Sequence, residues 1–334
     1  MKRTHVLLAG VITVLVALAA CGPAATEAPP AQLFRVAVVM PSAINDLAFS
    51  QSMYDALVAV QTERGEANFE LAYSEGMFVV EDAAAAIRDY ASQGYDLVIA
   101  HGSQYGSSLA EIAPDFADTS FAWGTTLDTF AGQGITNVFA YEARSEQGGY
   151  VNGVVAASLS QSGIIGVIGP IETGDAKLYV DGFRAGVMAT NPEAQVNVNW
   201  TGSFSDVALA SEAAQTHINA GADVLTGTAQ MVVGAIGVAQ ERGVAWFGTQ
   251  SDQASLAPET VVASQVYHWE VLLRQMIELI QDGTLGGQAF AIDLANEGEV
   301  IQINPGYALP DDVRALADQT IEGVADGTIQ ITLP

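Results

Sequence analysis

From Leu33 onward, short continuous apolar runs alternate with longer stretches whose apolar residues recur at helical spacing. "LFRVAVVM" (33–40) reads as a buried strand, and "FSQSMYDALVAVQTE" (49–63), with Met53, Leu57 and Val60 in step, reads as a helix. The pattern continues with strands at 69–75, 95–102, 120–125 and 135–141. Between and after them, helices are expected at 80–94, 107–113 and 145–163. It then restarts. Strands are expected at 163–170, 194–203, 222–228, 244–250 and 260–267, and helices at 176–191, 206–221, 231–243 and 270–283. Strands alternating with helices of this length imply parallel sheets built from βαβ units. Two such series predict an α/β protein of two doubly wound, Rossmann-like lobes. The expected division is 33–155 for the first lobe, 156–265 for the second, and a return to the first over about 266–334. Ligands of such sheets bind beyond the carboxyl ends of the strands. That rule points to residues 41–50, 101–105, 123–125, 171–175, 201–206, 226–230 and 248–253.

The first residues break this rhythm. Lys2 and Arg3 precede an uncharged apolar run, Val6 to Ala20, which ends in small residues before Cys21. This is the three-part pattern of a secretory signal, and the run is short for a span of ~20 apolar residues. Cys21 is the only cysteine, so no disulfide can form within the chain. Leu18-Ala19-Ala20-Cys21 resembles a bacterial lipobox, which implies cleavage after residue 20 and a lipid on Cys21. Residues 22–32 hold three prolines and one charge, Glu27, and read as an extended tether. A domain held beside a membrane, but not in it, is the expectation.

Composition narrows the partners. The 334 residues carry 38 acidic and 11 basic side chains, a net charge of −27, and after Lys2 the one lysine is Lys177. Such a surface repels nucleic acid and anionic headgroups. It also leaves few cations for a phosphorylated ligand. Half of the residues are hydrophobic, enough for a core that serves two domains of ~150 residues.

The predicted strand ends carry recognisable residues. "INDLAFSQSMYDAL" resembles the Asp-x-Ser-Phe-Asn-Gln-Ser element of the basic membrane protein (BMP/PnrA-like) family of ABC-transporter substrate-binding lipoproteins. "DGFRAGVMATNPEAQVNVNWTGSFSD", "GADVLTGTAQ" and "FGTQSDQ" resemble later elements of that family, in order and with natural spacing from about Phe34 to the end. The resemblance implies a type I periplasmic-binding-protein fold, with two lobes joined at a hinge by three crossovers and closing over a ligand. It implies a binder of a small molecule, most often a purine base or nucleoside, that hands its ligand to an ABC permease. The expectation is a monomeric, non-enzymatic protein without cofactor or metal.

Candidate site residues follow from the same positions. Phe49 is core packing or, as the family motif implies, a platform that stacks on a ligand ring; stacking is favoured. Phe204 is its counterpart from the other lobe. Asp46 either caps the following helix or accepts ring N–H groups. Ser50 replaces the family's usual Asn, with a shorter reach. Gln250 stands where nucleoside-binding members place an Asp that grips ribose hydroxyls, and their lysine is missing from "SQVYHWE". A free base is therefore expected to bind better than its nucleoside. Asp252 could take over the carboxylate role or cap a turn. Trp123 and Trp269 are cleft walls or core packing, with a wall role favoured. His101 reads as a polar loop residue at the cleft edge. The alternative class is a surface enzyme acting on nucleosides with Asp46, His101 or Asp252 as acid or base. Against it, residues 102–106 miss the Gly-x-Ser-x-Gly elbow by one position, and no Walker motif occurs.

Overall fold

The computed structural model describes residues 33–334. The expected signal segment, tether and Cys21 lie outside them. The first lobe is built from β1 (Phe34–Val39), α1 (Phe49–Arg64), β2 (Phe69–Ser74), α2 (Val80–Ser92), β3 (Leu97–His101), α3 (Gly106–Ile112), β4 (Ser120–Gly124) and β5 (Val138–Ala143). The chain then builds α4 (Ser145–Leu159), β6 (Ile164–Gly169), α5 (Gly174–Thr190), β7 (Gln195–Trp200), α6 (Val207–Asn219), β8 (Val224–Gly227), α7 (Val233–Arg242), β9 (Ala245–Gly248) and β10 (Val261–Tyr267). It ends with α8 (Glu270–Gln281), β11 (Ala289–Ile292), β12 (Glu299–Ile303) and α9 (Asp311–Ala325).

The strands form two six-stranded sheets, ordered β11-β5-β4-β3-β1-β2 and β12-β10-β9-β8-β6-β7. The first is parallel throughout; in the second, β12 runs antiparallel to β10. Covering on both faces explains the unbroken apolar runs. Along β1, Val36 and Val38 pack with α1 and α8, against Met53, Leu57, Leu273 and Ile277. Ala37 and Val39 turn to the opposite face, with Ile87 of α2 and Leu109 of α3. In the second lobe, α4, α5 and α9 cover one face of the sheet and α6 and α7 the other.

The lobe boundaries differ from the expected ones. The chain leaves the first lobe at Arg144, not after 155, because α4 belongs wholly to the second lobe. Its Gly149 and Gly153 lie against the backbone of α5, where an added Cβ would overlap the carbonyls of Tyr179 and Phe183. The return is also shorter than 266–334. Only α8 and β11 rejoin the first lobe, while β12 and α9 complete the second. Three crossovers thus join the lobes, at 144, 268–269 and 293–298. Segments flanking all three meet at Glu299, whose Oε1 accepts hydrogen bonds from the Gly148 backbone N–H in α4 and, at 2.8 Å, from Gln265 Nε2 in β10. Among the described residues, no helix is long and apolar enough to cross a membrane.

Candidate ligand-binding cleft

The carboxyl ends of both sheets face a common cleft with about 570 Å³ of free space, part of it open to solvent. Its first-lobe wall is Pro41, Phe49, Phe78, residues 102–104 and Thr125; its second-lobe wall is residues 173–176, Phe204, residues 228–230 and Gln250. Each of the seven segments singled out by the strand-end rule contributes to it. The lining holds no Lys, Arg or His and one acid, Asp175.

The first-lobe wall is an aromatic shelf. Phe49 opens α1, and its ring lies flat on the His101 imidazole, with centroids 3.7 Å apart and planes 8° from parallel. His101 closes β3 and is fully buried, not a loop residue at the cleft edge. Its Nε2 lies 3.0 Å from the Phe49 carbonyl oxygen and its Nδ1 2.7 Å from the Tyr141 hydroxyl. A carbonyl only accepts, so Nε2 carries the proton and Nδ1 accepts from Tyr141. Burial pushes the imidazole pKa down to about 3, opposed weakly by the bond to Phe49, which keeps the ring neutral. Trp269 stands edge-on to Phe49, His101 and Tyr141. It donates from Nε1 to Ser52 Oγ at 2.9 Å. Ser52 Oγ in turn donates to the Phe49 carbonyl at 2.8 Å. The shelf is thus braced by satisfied groups on α1, β3, β5 and the second crossover.

The second-lobe wall is polar and less satisfied. Asp175 sits in the first turn of α5, 7% exposed, and neither carboxyl oxygen has a hydrogen-bond partner. Burial raises its pKa well above the carboxylate range, and the charges of Glu142 and Glu146 add to the rise. Gln250, just past β9, is buried with Oε1 unpartnered. Its φ of 71° and the 76° of Ala229 place two non-glycine residues of this wall in the left-handed region. Such conformations cost ~1–3 kcal/mol and cluster at functional sites. Next to Gln250, Ser251 Oγ donates to the Ala48 carbonyl at 2.9 Å and Gln253 Nε2 to the Leu47 carbonyl at 3.2 Å. These bonds latch the β9 loop to the start of α1 in the other lobe.

Of the sequence candidates, Phe49, Phe204 and Gln250 come together in the cleft. The other five are engaged elsewhere. Asp46 accepts from the backbone N–H groups of Ala48, Ser50 and Gln51 at 2.9–3.2 Å, so its carboxyl caps α1. Burial raises its pKa, and those three bonds oppose the rise. Ser50 is fully buried and accepts from the Ser42 N–H at 3.1 Å. Trp123 stacks on Phe130 and donates to the Gly102 carbonyl at 3.2 Å, which props the 102–104 loop from behind. Asp252 accepts from the Ala254 N–H at 2.9 Å and from Gln302 Nε2 at 3.0 Å. Trp269 is core, not a cleft wall, because its crossover turns the indole inward among four aromatic rings. Asp46, His101 and Asp252, the acid–base set of the enzyme alternative, are each committed to structural partners.

Sequence reasoning missed Asp175, Gln104, Thr125, Thr228 and Gln230 as individuals while marking their segments. The available signal was position alone, since each ends or follows a predicted strand.

Comparison with known proteins agrees with this architecture. A purine-binding protein of Brucella abortus (strain 2308) is 30% identical over 260 residues, covering 78% of this chain and 72% of that protein. The transcriptional activator protein Med of Bacillus subtilis (strain 168) is 29% identical over 291 residues, covering 87% of each chain. Among solved structures, a solute-binding protein of an ABC transporter system from Conexibacter woesei superposes with a TM-score of 0.73 at 25% identity, covering 90% of this chain and 99% of that one. Residues 33–326 match the family described as ABC transporter substrate-binding protein, PnrA-like. With its two parallel-sheet lobes, three crossovers and shared cleft, the chain belongs to the PnrA-like family of ABC-transporter substrate-binding proteins.

Proposed function

We propose that this protein captures a purine base between its lobes outside the cytoplasm, tethered to the membrane by a lipid on Cys21, and delivers it to an ABC permease. The observation that carries the ligand reading is the presence of a half-buried aromatic shelf, Phe49, and a second aromatic, Phe204, from the other lobe, in a cleft lined by no cation. Base stacking on an aromatic face contributes ~1–3 kcal/mol per base. The purine-binding relative supports the same choice. An anionic ligand would have no positive partner in this lining.

The preference for a base over a nucleoside rests on Gln250 and on the position of Lys177. A neutral amide makes weaker bonds to ribose hydroxyls than an ionised carboxylate. Lys177 is occupied on the flank of α5 with Asp181 and Glu172. The bulk of Trp269 gives no further reason, because the indole lies in the core.

Calorimetry with adenine, guanine, hypoxanthine and their nucleosides tests this reading. Bases should bind tighter. Equal or tighter nucleoside binding would contradict the preference, and no binding by any member would remove the purine reading. The anchor is tested separately: Cys21→Ser should move the protein from the membrane fraction to the soluble one.

A further inference from the structure

Three buried acceptor atoms lack a hydrogen-bond partner on the second-lobe wall: both oxygens of Asp175 and Oε1 of Gln250. Both residues line the ligand cleft. Hydrogen bonds account for most buried polar atoms in folded proteins, and each exception needs a reason. Within this wall the charged neighbours of Asp175 make matters worse, since Glu142 and Glu146 repel its ionised form. The first turn of a helix favours an anion, which explains why an acid is tolerated there, but the carboxyl takes no helix N–H as Asp46 does. An amide oxygen only accepts; the Asp175 carboxyl, held protonated by burial in the ligand-free cleft, accepts at its carbonyl oxygen and accepts at both oxygens once facing N–H donors let it give up that proton. What all three atoms need is a ligand rich in N–H donors.

We propose that Asp175, seconded by Gln250, is a donor-reading subsite that takes ring N–H and exocyclic amine hydrogens, so that the cleft selects neutral or cationic amino-bearing nitrogen heterocycles and rejects anionic or donor-free ones. This rests on the cleft being the ligand site, and it narrows the purine reading to a chemical class. A donor-free ring can still stack on Phe49 but leaves the second-lobe acceptors buried and unpaired. An anionic ring adds repulsion to that loss.

The test is calorimetry of wild type, Asp175→Asn and Asp175→Ala with six probes: adenine, 2,6-diaminopurine, caffeine, uric acid, 2,4-diaminopyrimidine and benzamidine. Wild type should bind adenine and 2,6-diaminopurine at least about tenfold tighter than caffeine, which has no N–H, and uric acid, which is anionic near neutral pH. Asp175→Asn should lose about tenfold or more for the amino purines and little for caffeine, with Asp175→Ala losing at least as much. Both ligand-free variants should melt no lower than wild type, because no bond within the protein is removed. Caffeine binding as tightly as adenine, unchanged adenine affinity in both variants, or a lowered melting temperature for ligand-free Asp175→Asn would overturn the subsite while leaving the purine reading intact. Asp175-dependent binding of 2,4-diaminopyrimidine or benzamidine without any purine would remove the purine reading and support the subsite. Failure of all six to bind wild type would overturn the subsite.

Discussion

The two walls of the cleft differ in how far each is finished by the protein itself. The first-lobe wall is a closed circuit. Phe49 rests on His101, His101 is bonded at both nitrogens, and Trp269 and Ser52 brace the set from behind. The second-lobe wall carries unpartnered acceptors at Asp175 and Gln250 and left-handed backbone at Ala229 and Gln250. One wall offers a preformed flat surface that any aromatic ring can use. The other holds polar groups whose desolvation is offset only by a ligand of the right chemistry. On the function proposed above, affinity and selectivity are divided between the lobes, and a ligand must touch both walls to combine them.

The sharpest way to break this contrast is Trp269→Ala. A fully buried tryptophan in the shelf should cost ~3–5 kcal/mol of stability, read by denaturant unfolding, and ligand affinity should fall with it as Phe49 loses its brace. A small effect on both would show that the shelf does not depend on its support.

Acid titration should separate the walls by sign. Unfolded histidine takes a proton near pH 6.5, whereas folded His101 stays neutral down to about 3. The unfolded state therefore binds more protons in that interval, and stability falls as pH drops from 6.5 toward 3. The full loss is on the order of 5 kcal/mol. For Asp175 the folded pKa is raised, so its contribution to stability is present at low pH and is lost as pH rises through the folded value. His101→Gln should flatten the acid limb of a melting profile, and Asp175→Asn should raise stability most at alkaline pH. The same slope in all three proteins would contradict the assignment.

Next in size, Phe49→Ala and Phe204→Ala should each weaken adenine binding by ~1–3 kcal/mol. Phe204 is half-buried on a loop and should cost less stability than a core phenylalanine. Unaltered affinity in both would remove the stacking role. The smallest effect concerns backbone strain: Gln250→Gly should relieve its left-handed conformation, raising stability by ~1 kcal/mol while lowering affinity. A gain in both would show that the Gln250 side chain contributes nothing to binding.

Much of this site was legible in the sequence, because the strand-end rule needs only the order of elements. Phe49 and Phe204 stood at those ends, and so did the segment holding Asp175. The identity of the working side chains was not legible, for reasons that can be named. An aspartate three residues before a helix can turn to the helix N–H groups or away from them, and Asp46 turns to them. A tryptophan on a crossover can face the cleft or the core, and packing among Tyr141, Tyr267 and His101 settles Trp269 inward. Asp175 opens α5, and its burial and lack of partners are set by the folded packing around that helix, which the order of elements does not show. Residues 289–292 and 299–303 were not read as strands, so the return to the first lobe was drawn as one block although β12 and α9 belong to the second.

A crystal structure of the protein grown with adenine tests the division of labour most directly. The adenine ring should lie parallel to Phe49, on the face turned away from His101, with an N–H edge within hydrogen-bond distance of Asp175. A ring bound away from Phe49, or one stacked there with no donor directed at the second-lobe wall, would contradict it.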